Sequence, residues 1–115
     1  MDGAEGIAGG VAPGEVLAKA AGRAGAWLGL SDQELLQALE LQAASDELEA
    51  RSTSWHSALS LIHLAYRLEH LAGGQHGAQQ WLRGPNIGLG RPPIERLVEP
   101  GGASALLDST HTFYR

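Results

Sequence analysis

The stretch from about Thr53 to Ala72 does most to limit what this chain can fold into. Trp55, Leu59, Ile62 and Tyr66 form one apolar row, and Ala58, Leu61, Ala65, Leu68 and Ala72 form another. Spacings of three and four place each row along a helix face. Two such rows exceed the single stripe of a surface helix. The helix must be contacted on two sides, as in the middle of a bundle or at a homodimer seam. Its remaining face carries His56, Ser60, His63, Arg67 and His70. The three histidines lie seven residues apart, about 10.5 Å along the axis. Their i+4 neighbours are Ser60, Arg67 and Gly74, so no pair is spaced to share one metal ion. The row reads as a solvated or partner-facing polar stripe.

With 115 residues there is room for one domain and a modest core. A formal net charge of −5 and an isoelectric point near 5.4 argue against a broad nucleic-acid or membrane-surface footprint. Cysteine is absent, which excludes disulfides and thiolate sites and fits a reducing compartment. No apolar run approaches the ~18 residues of a bilayer span, and no basic segment precedes an apolar one as in a signal peptide. A cytoplasmic protein is the expectation. No period-2 alternation bounded by turns appears, so the fold class is all-α, a small helical bundle. Catalysis needs a nucleophile with its base, a metal set or paired carboxylates in a cleft. None of these signatures is present, so the expectation is a non-enzyme with no cofactor and no metal.

Residues 1–14 are glycine-rich with almost no large side chain, and read as a flexible arm. From Glu15 a helix is predicted by Val16, Ala20, Ala24, Trp27 and Leu28, ending at Gly29. Ser31-Asp32-Gln33-Glu34 matches a capping box that opens a second helix with Leu35, Leu36, Leu39 and Leu41. A short third helix is predicted from Ser45 through Arg51. Residues 15–52 thus have the outline of a helix-turn-helix unit. Between Ser31 and Ala50, however, stand six acidic residues and no Lys or Arg. Such a unit repels phosphates and lacks donors for base edges. DNA binding is not expected of it, and a structural or dimerising role is.

The punctuation is densest from residue 80 to residue 100. Gly84-Pro85 ends the short helix that carries Ala78, Trp81 and Leu82, with Gly84 expected at positive φ. Asn86 can bond its own backbone and hold a turn. Gly88 and Gly90 permit tight folding. Pro92 and Pro93 preset a new helix bearing Ile94, Leu97 and Val98. Beyond Pro100-Gly101-Gly102 a last helix carries Leu106 and Leu107. The pattern describes a loop of fixed shape between two helices.

Trp81, Leu82, Pro85, Asn86, Leu89, Gly90, Pro93, Leu97, Pro100 and Gly102, continuing through Ala103, Leu106 and Leu107, resemble the toxin-binding domain of the Xre/MbcA/ParS antitoxins. Leu28-Gly29-Leu30-Ser31 resembles the start of an Xre-type helix-turn-helix. Glu40 stands where that family usually has a turn glycine, so 15–52 reads as a degenerate unit and 53–115 as the helical toxin-binding domain. The resemblance implies an antitoxin that pairs with a RES-type toxin, one that consumes NAD or transfers ADP-ribose from it. It further implies that the C-terminal domain covers the toxin's active-site cleft. On that reading Arg83, Asn86 and Arg91 in the loop and Thr112, Phe113, Tyr114 and Arg115 in the tail face the toxin. Trp81, Leu82, Pro85, Leu89, Gly90, Pro93 and Leu97 form the structural core of the motif. Trp55, Leu59, Ile62 and Tyr66 are candidates for a homodimer seam within a higher toxin–antitoxin assembly. From the residues alone, Phe113 or Tyr114 could equally dock back onto the domain or serve as an exposed anchor. A DNA-binding regulator of its own operon and a helical adaptor unrelated to toxins are the competing functions.

Overall fold

The computed structural model describes residues 12–43 and 46–113. Among the described residues there are six helices and no strand. They are α1 (Pro13–Trp27), α2 (Asp32–Leu39), α3 (Thr53–Leu71), α4 (Gln75–Arg83), α5 (Pro93–Leu97) and α6 (Gly102–Phe113). The fold is a small all-α bundle with α3 at its centre, packed chiefly on α1 and α6 and also touching α2 and α4.

α1 opens on Pro13, whose fixed φ suits a first helical turn. Pro13 and Gly14, assigned to the arm by composition, therefore belong to the helix; residues 1–11 lie outside the described residues. The buried row of α1 is Leu17, Ala21, Gly25 and Leu28. Leu28 is shared with the predicted row, but the rest is rotated by one residue from it, and Val16 is 56% exposed. In a helix this rich in alanine several faces look alike, and the fit of neighbouring helices selects among them. Gly25 matters here, because a Cβ at that position would fall 2.8 Å from Leu35 Cδ1.

α2 begins as predicted. Ser31 Oγ accepts from Glu34 N at 3.1 Å, and Glu34 Oε1 accepts from Ser31 N at 2.9 Å. It ends at Glu40, which adopts the left-handed conformation with φ 59° and ψ 42°.

The predicted third helix is not formed. Residues 46–49 have no regular secondary structure and Ala50 and Arg51 form a turn; Ala44 and Ser45 lie outside the described residues. Asp46 Oδ2 accepts from Gln42 N at 3.0 Å and Ala43 N at 2.9 Å, a local bond that competes with helix formation. Leu48 is buried, and its carbonyl lies so close to Gly14 that no Cβ would fit there. The segment is a strap across the first turn of α1.

α3 is capped by Ser52, whose Oγ accepts from Trp55 N at 3.1 Å. Its buried face is Ser57, Ala58, Leu61, Leu64, Ala65 and Leu68. The second apolar row thus lies in the core, joined by Leu64, which belongs to neither predicted row. In the first row Trp55 and Ile62 are half-buried, while Leu59 and Tyr66 are exposed.

The core is contiguous along the chain, with Leu28, Leu61, Leu64, Leu68, Leu82, Leu97 and Leu106 all fully buried. Each such leucine contributes about 1.5–3 kcal/mol by leaving water. α4 is tied to the end of α1 by Gln75 and Gln79, whose Nε2 atoms donate to the Trp27 carbonyl at 3.1 and 2.9 Å. α6 starts where only glycine fits, because a Cβ on Gly102 would strike the Arg96 and Leu97 carbonyls.

Candidate functional site

The loop from Gly84 to Pro92 is held by its own residues. Gly84 has φ −88°, not the expected positive value. Glycine suits it for a different reason: a Cβ there would sit 2.9 Å from the Gln80 carbonyl oxygen. Asn86 shapes the turn twice. Its Oδ1 accepts from Leu89 N at 3.0 Å, and its backbone oxygen accepts from Gly90 N at 2.9 Å. Gly90 has φ 76°, a value that favours glycine. Pro92 then sits at the N-cap of α5, with Pro93 as its first residue.

Both flanks of the loop carry a bidentate ion pair. Before it, Arg83 donates to Glu34 Oε1 at 2.6 Å and Oε2 at 3.1 Å, and also to the Gly29 carbonyl at 2.9 Å. These bonds, with that from Ser31, hold the Glu34 carboxyl down at about 2 and raise the Arg83 guanidinium above its ordinary value. After it, Arg91 donates to Glu99 Oε2 at 2.7 Å and Oε1 at 2.8 Å. This pairing lowers the Glu99 carboxyl and raises Arg91. Arg96 adds a longer contact to Glu99 at 3.4 Å and donates to the Pro100 carbonyl at 3.1 Å.

The polar side chains proposed from sequence for contact, Arg83, Asn86 and Arg91, are therefore brought to one loop and each is engaged within the chain. The side chain this loop offers outward is Ile87, fully exposed at 101%. Sequence reasoning passed over it as a spacer. The available signal was a large aliphatic residue directly after a turn-forming asparagine, where no helical row could bury it. Among the motif's structural residues, Leu82, Pro93 and Leu97 are buried. Trp81 and Leu89 are half-buried against the core. Pro85 and Gly90 are exposed and contribute backbone geometry rather than buried surface.

The other candidate surfaces lie elsewhere. Thr112 and Phe113 belong to α6; Tyr114 and Arg115 lie outside the described residues. α3 and α6 enclose a groove of ≈ 410 Å³ lined by His63, Tyr66, Arg67, His70, Leu107 and Asp108. The Tyr66 and His70 rings stand 4.7 Å apart there. Among the described residues no three His, Asp or Glu side chains could hold a metal ion, and no helix is long and apolar enough to cross a membrane.

Residues 67–108 match the antitoxin Xre/MbcA/ParS C-terminal toxin-binding domain. The matched segment runs from the end of α3 into α6 and contains the whole Asn86 loop with both of its ion-paired arginines. Trp55, Leu59, Ile62 and Tyr66 precede it, and Thr112 to Arg115 follow it. No curated protein matches the chain.

Proposed function

We propose that the protein is the antitoxin of a type II toxin–antitoxin pair, acting in the cytoplasm. Its partner is a RES-type toxin that consumes NAD or transfers ADP-ribose, whose active-site cleft it covers. The observation that carries this reading is the match of residues 67–108 to an antitoxin toxin-binding domain, falling on a loop whose shape is fixed by Asn86, Gly90 and two ion pairs. A preformed loop binds without the entropy cost of ordering it. The toxin-facing surface comprises the loop of Arg83, Asn86 and Arg91 together with Thr112 to Arg115. Neutralisation is by occlusion, and no catalytic step is assigned to this chain. An acidic protein with a net charge of −5 complements a cleft built for an anionic dinucleotide.

The dimer seam is proposed at Trp55, Leu59, Ile62 and Tyr66, a row that the bundle leaves partly open. DNA binding is not proposed. The segment that would read bases is a strap at residues 46–49, and the acids around it repel phosphate.

Co-expression with the product of the adjacent reading frame, expected to be a RES-type protein, is the test. The expected outcome is a stable complex on affinity purification and restored growth of cells expressing the toxin. If the two proteins are both soluble yet neither associate nor rescue growth, the antitoxin reading is lost.

A further inference from the structure

We infer that Ile87 is the apolar anchor of the toxin contact, seated in a socket on the toxin, and that Arg83, Asn86 and Arg91 position it. The inference rests on the antitoxin reading and deepens it.

A single exposed aliphatic residue is ordinary on a protein surface. What sets Ile87 apart is its mounting. Exposure is complete, so its side chain contributes no packing to the fold. The backbone that carries it is nevertheless held in a turn by hydrogen bonds on either side. Asn86 on its N-terminal side bonds both Leu89 and Gly90. A β-branched side chain held on such a turn loses little freedom on binding, since its backbone is already ordered and its χ1 is stiff.

The surroundings indicate what kind of surface it meets. Ile87 itself lines a shallow hollow of ≈ 430 Å³ on the loop, together with Arg83, Pro85, Asn86, Gly90, Arg91 and Pro92. An exposed aliphatic side chain on the wall of an open hollow suits an apolar partner surface that packs against Ile87 and fills the space next to it. Both arginines already hold a carboxylate through two bonds. To grip an acidic group on the toxin, each would first have to give up its internal pair. The loop therefore offers shape and apolar contact more than net charge. The match of residues 67–108 to an antitoxin toxin-binding domain is the reason the proposed partner is a toxin.

The experiment is the affinity of the full chain for the product of the adjacent reading frame, expected to be a RES-type protein, measured with Ile87 variants and at two salt concentrations. Ile87→Ala is expected to weaken binding by about 10-fold and Ile87→Asp by more, as for a buried interface anchor. Ile87→Leu should stay within about 3-fold of the unaltered chain, because a socket tolerates a volume-conserving exchange. Melting temperatures of all three should match the unaltered chain. The loss caused by Ile87→Ala should be the same within about 3-fold at about 0.1 and about 0.5 M salt, since screening acts on charge and not on apolar burial. If Ile87→Asp binds as tightly as the unaltered chain, the anchor assignment is overturned while the antitoxin reading stands. A strong salt dependence with intact Ile87→Ala binding would instead assign the contact to the arginines and also overturn it. Failure of the unaltered chain to bind removes the reading on which the inference rests, and the inference with it.

Discussion

Arg83 grips Glu34 with both terminal nitrogens, at 2.6 and 3.1 Å, across 49 positions of sequence. The same guanidinium donates to the Gly29 carbonyl. One side chain at the end of α4 thus fastens the segment that matches the antitoxin domain to the start of α2. An arginine at a helix end looks dispensable for folding in the sequence. In the structure it is a tie between the two halves of the chain.

That tie predicts an acid-sensitive contribution to stability. The Glu34 carboxyl is held at about 2 against an ordinary 4.5, first by the Arg83 bonds and then by the Ser31 backbone. Its folded value lies below its unfolded one, so the stabilisation is complete above about 4.5 and lost as pH falls toward 2. Arg83 is nearly half exposed, so the pair is expected to contribute about 1 kcal/mol at neutral pH. Melting temperature should fall through this window, and Glu34→Gln should start lower and fall less. Parallel pH profiles for the two proteins would exclude the contribution.

Glu40 pairs a strained backbone with a useful carboxylate. Its Oε2 accepts from Ser57 Oγ at 2.7 Å and Gly101 N at 3.3 Å, and its carbonyl accepts from Ser54 Oγ at 3.0 Å. These bonds connect the end of α2 to α3 and to the residue before α6. Glu40→Ala keeps the left-handed cost and loses the carboxylate bonds; Glu40→Gly loses the bonds but relieves the strain. Glycine is expected to be the less damaging by about 1 kcal/mol. Chemical denaturation of the two variants measures this, and equal stabilities would mean that the left-handed turn costs nothing here.

Leu64 and Leu59 separate the two faces of α3. Leu64 is fully buried and Leu59 is 37% exposed. Leu64→Ala should cost about 2–5 kcal/mol. Leu59→Asp should leave a helical, folded chain, because surface changes usually stay within about 0.5 kcal/mol. If the exposed row is the dimer seam, Leu59→Asp should also shift the scattering mass from two chains to one. A one-chain mass for the unaltered protein at all micromolar concentrations would dispose of the seam.

The last turn of α6 is proposed to serve binding more than folding. Its deepest described anchors, Leu106 and Thr110, precede the tail. Deleting Thr112 to Arg115 should leave the melting temperature within about 4–8 °C, the shift of about 1 kcal/mol in a small domain. Affinity for the toxin should fall by about 2 kcal/mol or more, as for a hot spot. A collapsed melt would show that Phe113 or Tyr114 packs in the core.

The local punctuation of this fold was legible in the sequence. The Ser31–Glu34 box, the Asn86 turn, the Pro92-Pro93 start and the all-α class depend on residues within a few positions of one another, and their chemistry acts at that range. Residues 46–51 resisted the same reading because Asp46 could extend a helix or hold a turn. Packing Leu48 over Gly14 accompanies the second choice. Which face of α1 is buried was undecidable from alanine-rich rows, since a rotation of one residue exchanges one set of small side chains for another. The partners of Arg83, Arg91 and Glu40 were undecidable as well, because a long charged side chain can reach any carboxylate or donor that the fold brings near. Only the packing of α2, α4 and α6 around α3 brought Glu34 to Arg83 and Ser57 to Glu40. It was the same loop geometry, by engaging the three polar side chains proposed for contact around the loop, Arg83, Asn86 and Arg91, that left Ile87 as the residue turned outward.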